Sequence, residues 1–408
     1  MTKDLFRRRS SAACITMQAA FLVCALIFTT PASAYFFSKD LEAYGYSQVW
    51  FIPYESMPNM SGLTETDYLS GFSLAKVRGG VNAWFLDRKL GVFFQATFVK
   101  PVGILDASLI GKPIEQLGFQ FGQFKIPSTF ENLIDDRKLD FILRSKISTM
   151  LADYSLSRSP YADSKWYANN SYLRDLGVAL KADAPIPYVP LKAFLMVGNG
   201  LGAGYTIAGD YQRGDFLTNG FGQFFYGARI ELLPLDGNLI MGGVYNRNYH
   251  SKIVPNDGSK STISISRESW EIDIQATVPK TGLSFAAIYG QGWLNDWEPQ
   301  ITVSKSNYSG WMAQAVWRIG DTVKNINKSV FLDDHGFDVM FRADQNRLHN
   351  YGSGTQSDIY YTVGFNYRFR EYVKLQVEGI FKRVLGDRDL KTPDFDSDGA
   401  LICVQGAI

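Results

Sequence analysis

Cysteine is scarce in this chain of 408 residues: there are three, and two of them, Cys14 and Cys24, fall within residues 1–34. Cys403 is then left without an intramolecular partner, so no disulfide framework staples the fold. Histidine is equally rare. His250, His335 and His349 are expected outside strand interiors, which leaves no well-placed general base and argues against an enzyme. Net charge is nearly absent too. Without residues 1–34 the count is 41 − 4 = 37 basic against 40 − 1 = 39 acidic side chains, so the basic excess that a nucleic-acid partner requires is missing. No haem-attachment motif occurs, and no cofactor is expected. After Tyr35 no apolar run reaches the length of about 18 residues that a spanning helix needs, which excludes a helical membrane protein.

What is present begins at the N-terminus. Arg7, Arg8 and Arg9 precede an apolar segment over 14–28 and the small residues Ala32, Ser33 and Ala34, the pattern of an export signal cleaved before Tyr35. The apolar segment is too short for an anchor, and Val23 ahead of Cys24 argues against a lipoprotein. The expected organisation is therefore a signal peptide, 1–34, and one secreted domain, 35–408.

That domain is rich in Gly, Tyr and Phe and alternates apolar with polar residues throughout. The alternation predicts strands near 41–52, 71–86, 89–100, 102–110, 117–126, 172–182, 189–199, 221–233, 238–249, 266–278, 282–292, 307–319, 331–342, 357–369, 372–384 and 397–408, sixteen in all. The connections give an independent test. Those after even-numbered strands, such as 87–88, 234–237 and 370–371, are short. Those after odd-numbered strands, such as 53–70, 200–220, 250–265, 293–306, 343–356 and 385–396, are long, with Pro101 and 320–330 as exceptions. Short periplasmic turns alternating with long extracellular loops belong to membrane barrels, whereas a soluble all-β sandwich or lectin has no reason to produce them. The expected fold is all-β: a transmembrane antiparallel β-barrel of sixteen strands.

Polarity along single strands agrees. In the fifteenth, Val373, Leu375, Val377 and Phe381 are expected to face lipid, and Lys374, Gln376, Glu378 and Lys382 water. The fourteenth sets Ile359, Tyr361, Val363 and Phe365 against Tyr360, Thr362, Asn366 and Arg368; the tenth sets Trp270, Ile272 and Ile274 against Glu271 and Asp273. Charges at alternate positions need a hydrated interior, and about sixteen strands leave an aqueous channel. Trp50, Trp84, Trp311, Trp317, Tyr367 and Tyr372 suit the aromatic girdles.

One connection stands apart. The fifth strand stops at Pro127, which has no N–H to donate, and alternation resumes only after about 45 residues, a length at which a loop is usually functional. Here Gly122, Gln123, Phe124, Lys125 and Pro127 are followed by Glu131, Asn132 and Leu133 and then by Asp140, Phe141, Arg144 and Ser145. This wording resembles the phosphate-selective porins O and P of Gram-negative outer membranes. The resemblance implies that 127–171 folds into the barrel as a constriction loop, that the protein is a homotrimer in contact with outer-membrane lipid and lipopolysaccharide, and that small ions or solutes pass through it. Family barrels end on an aromatic residue; this sequence ends Gly406, Ala407, Ile408, a departure bearing on the assembly signal.

Lys125, Arg137, Lys138, Arg144 and Lys146 are the basic candidates for the ion path at the loop, joined by Lys76, Arg78 and Arg368 on the wall. Yet Glu131, Asp135, Asp136, Asp140, Asp153 and Asp163 match Arg137, Lys138, Arg144, Lys146, Arg158 and Lys165 one for one, and Lys181 and Arg229 on the wall meet Glu231, Glu271, Asp273 and Glu378. Modest selectivity is expected, with phosphate one solute within it. Gly198 to Gly202 imitates a dinucleotide loop, but no helical pattern follows. Asp394, Asp396 and Asp398 match the first half of a calcium loop whose twelfth position is Gln405, not Glu, so no metal is expected beyond that weak candidate. Function thus reads as an outer-membrane porin for passive diffusion, the alternative being a barrel that sheathes a partner such as a multihaem cytochrome.

Overall fold

The computed structural model describes residues 40–56, 68–99, 102–156, 173–199, 224–256, 259–298, 301–319, 335–350, 354–369, 372–384 and 399–407. The expected signal peptide, the segments 157–171, 200–220 and 320–330, and the candidate metal ligands Asp394, Asp396 and Asp398 lie outside them.

Sixteen strands run in chain order: β1 (Leu41–Ser56), β2 (Tyr68–Phe85), β3 (Leu90–Thr97), β4 (Gly103–Ile114), β5 (Leu117–Lys125), β6 (Arg174–Ala184), β7 (Leu191–Gly198) and β8 (Phe225–Leu232) come first. Then follow β9 (Leu239–Asn256), β10 (Ser259–Val278), β11 (Leu283–Glu298), β12 (Ile301–Arg318), β13 (His335–Asn350), β14 (Gly354–Phe369), β15 (Val373–Val384) and β16 (Gly399–Ala407). Each pairs antiparallel with its neighbours, and β1 meets β16 through pairs such as Gln48 with Gln405, so the sheet closes on itself and has no edge.

Alternation sets the two faces as expected. Phe119, Phe121, Ile272, Val363, Val377 and Phe381 stand exposed on the outside, a belt suited to hydrocarbon, while Glu271, Asp273, Thr362, Asn366, Gln376 and Glu378 point inward and are buried. The turns after even-numbered strands are short, as at Leu235–Gly237, except for the connection between β12 and β13, which spans 319–334.

Three expectations need correction. Residues 250–265, 293–306 and 343–356 are not loops for most of their length: β9 and β10 stay paired up to Asn256 and Ser259, and the β11–β12 and β13–β14 ladders continue likewise. Polar residues there hid the strands, because the apolar half of the alternation is sparse in these segments. His250 consequently lies within β9. Trp50 is no girdle residue; it points inward and packs beside Leu401 and Cys403.

Candidate functional site

After Pro127 the chain turns into the barrel. It forms a short helix α1 (Phe130–Leu133), a 3₁₀ turn Asp136–Lys138 and a helix α2 (Lys146–Leu156). Irregular backbone at membrane depth survives only if its polar groups find partners inside the protein. The wall supplies them. Carboxylates accept loop N–H groups: Glu271 from Thr129 (3.1 Å), Asp273 from Phe130 (3.3 Å), Glu378 from Ile142 (2.6 Å) and Asp344 from Lys146 (3.0 Å). Donors reach loop carbonyls: Arg229 to Ser128 (3.0 Å), Asn246 to Pro127 (2.9 Å), Arg342 to Leu143 (2.7 Å), Lys374 to Leu139 (2.6 Å), and Asn366 and Gln376 to Asp140 (2.8 and 2.7 Å). Glu271, Asp273, Lys374 and Glu378, expected to face lumenal water, therefore face the loop, while Lys382 pairs with Asp358 and Arg368 with Asp338 on the wall.

Apolar contacts fix the same segment. Ile126 and Phe124 meet Ala179, Met196 and Phe225. Phe130, Ile147 and Leu151 meet Ala286, Ile288, Tyr308 and Met312. Phe141 sits on Val316 and Met340, and Ile142 on Leu401 and Cys403. Each fully buried side chain of this size contributes about 1.5–3 kcal/mol relative to exposure, so the loop is a fixture and not a fluttering strand connection. In α2, Ile147 and Leu151 are four residues apart and share the wall-facing side, where Gly290, Gly292 and Gly310 leave room for them; a Cβ on Gly290 would overlap Leu151. Ser145 caps this helix, its Oγ accepting from the Ser148 N–H at 3.4 Å while its own N–H donates to Glu131 at 2.9 Å.

The basic candidates fall into this frame unequally. Lys125 does not project into an opening: its Nζ donates to the carbonyls of Asn132 (2.9 Å), Leu133 (3.2 Å) and Ile134 (2.8 Å), a cation on the C-terminal end of α1 opposite the carboxylates at its N-terminal end. Lys76 (2.9 Å), Arg78 (2.8 Å) and Arg144 converge on Asp136. Burial by itself would raise the Asp136 pKa, but Lys76, Arg144 and Arg78 together hold it well below the usual carboxylate range. Arg137 pairs with Asp135 at 2.9 Å, both about a quarter exposed, and lies over the rings of Tyr44 (4.8 Å) and Tyr46 (5.7 Å). Lys138 is exposed. Lys146 lies over the Tyr360 ring, and Arg368 pairs with Asp338 at 2.7 Å. Alternation did not point to Arg174, which grips Asp106 through two bonds of 2.9 and 2.8 Å and also donates to Gln95. It also missed the inward apolar wall. The signal was there: Ala286 and Ile288 in 283–290 and Met312 and Val316 in 311–317 make the inward face mostly apolar, which an aqueous lining would not be.

No family model and no curated protein sequence matches this chain. Solved structures do. The anion-selective porin from Comamonas acidovorans superposes with a TM-score of 0.57 at 9% identity, covering 90% of this chain and 99% of that one. Outer-membrane expressed OmpT of Vibrio cholerae gives 0.54 at 12%, covering 91% and 99%. The outer membrane channel DcaP of Acinetobacter baumannii gives 0.50 at 10%, again covering 91% and 99%. The fold is that of outer-membrane porin barrels, and a closed barrel with an outward apolar belt is an outer-membrane structure.

Proposed function

We propose that the chain is a porin of a Gram-negative outer membrane, a water-filled channel in which small hydrophilic solutes and ions diffuse passively past an in-folded loop, with no chemical step. One observation carries this reading: a sixteen-strand barrel, apolar outside and charged inside, has its own loop sewn to the lumenal wall. A modest preference for anions, phosphate among them, belongs to the same reading. It is supported where 135–138 meet β1 to β6: Lys76, Arg78, Arg137, Lys138, Arg144 and Arg174 stand against Asp106, Asp135, Asp136 and Asp175, six cations to four carboxylates. A homotrimer is also part of the proposal, resting on the resemblance of 122–145 to porins O and P. A sheath around a second protein is disfavoured, since the loop occupies the interior such a partner would need.

The test is single-channel recording of the purified protein in planar bilayers. Discrete conductance steps with a reversal potential displaced modestly toward chloride in a salt gradient are expected; a protein that assembles and conducts nothing refutes the channel.

A further inference from the structure

The loop is pegged by apolar side chains along most of its described length, at Ile126, Phe130, Ile134, Leu139, Phe141, Ile142, Ile147 and Leu151. Residues 135–138 are the exception: Asp, Asp, Arg, Lys, with no apolar side chain among them. This tip bridges from the loop body to the wall formed by β15, β16, β1 and β2, held there by hydrogen bonds and ion pairs and by Arg137 lying over the Tyr44 and Tyr46 rings. The Arg137 carbonyl accepts from Lys374 (3.1 Å) and Gln405 (3.3 Å). The strongest hold is Asp136, 4% exposed, which takes Lys76 and Arg78 from β2 and Arg144 from the returning limb of the same loop. One carboxylate thus ties both limbs of the loop to one strand.

We infer that Asp136 sets the width of the passage and a share of its ion preference, as the residue that pins the tip of the loop against the β1–β2 wall. This rests on the channel reading above and assigns it a positioning residue. With Asp136 neutral, the buried Arg78 and the partly exposed Lys76 and Arg144 lose their common counter-charge and repel one another, and the tip, lacking any apolar peg, swings off the wall while the flanking segments stay docked. Removing a buried partner in this way is far more disruptive than removing an exposed one, because the remaining charges stay desolvated.

The experiment compares the parent, Asp136→Asn and Asp136→Glu. Asp136→Asn is expected to raise single-channel conductance, admit larger sugars in liposome swelling, and shift the reversal potential in a potassium chloride gradient toward chloride; Asp136→Glu keeps the parent's values. A second readout is independent of conduction. With Lys138→Cys added, thiol reagents of graded size react faster, and larger ones react at all, when Asp136 is replaced by Asn. Should the single substitution prevent assembly, Asp136→Asn with Lys76→Gln relieves one unpaired cation and takes the same measurements. A parent that conducts, beside an assembled Asn variant with unchanged size limit, reversal potential and thiol reactivity, overturns the assignment and leaves the porin reading standing. A silent parent overturns the porin reading, and the thiol rates then decide alone whether Asp136 holds the tip.

Discussion

Lys125 shows how a side chain that reads as an ion-path charge becomes something else when its partners are known. Three carbonyls at the end of α1 take up its ammonium. Lys125→Met should therefore cost about 2–3 kcal/mol, the worth of charge-assisted hydrogen bonds whose acceptors are then left bare. The unfolding midpoint in urea reads this, and the reversal potential should move less than it does for Arg137→Gln with Lys138→Gln, whose side chains are reached by solvent. The sequence put Lys125 at the strand-to-loop junction correctly; its partners were illegible because they are backbone groups of a loop that follows no period. Asp136 lends itself to a pH test. Its folded pKa lies below its unfolded one, so its contribution is full above about pH 4, the unfolded value, and fades only as pH falls through the lower folded value. The difference in reversal potential between the parent and Asp136→Asn should thus stay constant from pH 8 to about pH 5; a difference that vanishes across that window means Asp136 is already protonated there.

At the scale of elements, α2 and the wall behind it were written together. Leu151 is fully buried against a strip in which Gly290 and Gly292 replace side chains, so Leu151→Ala should destabilise by about 2–5 kcal/mol, and Gly290→Val should do comparable damage from the opposite side by displacing the helix. Combining Leu151→Ala with Gly290→Val should recover much of the loss, and that recovery, read by thermal unfolding, would confirm the contact. Period-two reasoning found all sixteen strands because register in a one-sided sheet is enforced by the membrane, which punishes a slip of one residue. It failed for the upper parts of β9 to β14, where the apolar half of the alternation is sparse in the sequence, and for the inward apolar residues of β11 and β12, whose partner is a segment far away in sequence.

For the whole molecule, the extended β9–β10, β11–β12 and β13–β14 ribbons lie at the same end as the long connections after β1, β5, β7 and β15, and this predicts the orientation. A peptide tag inserted between Asn256 and Ser259, the last pair of the β9–β10 ladder, should be seen by antibody on intact cells, and one at Leu235–Gly237 should not; the reverse staining would invert the barrel. Height also varies around the barrel. β10 has 20 residues and β7 has 8, or roughly 65 Å against 26 Å of extended chain at about 3.3 Å per residue, so among the described residues the sheet is much taller at β10 than at β7. The seam between β1 and β16 bears on assembly. Ile142 packs on Leu401 and Cys403 of β16, and Lys374 and Gln405 beside the seam bind the carbonyl of Arg137. A loop threaded in after closure would have to strip water from apolar wall that had already faced it. A chain whose loop is docked first offers the closing strand a finished surface, like a door shutting on its frame. Ile142→Ser should then slow acquisition of the compact, heat-modifiable band in a refolding time course more than it lowers the final yield, which would mark the loop as a template for closing the barrel as well as a barrier within it.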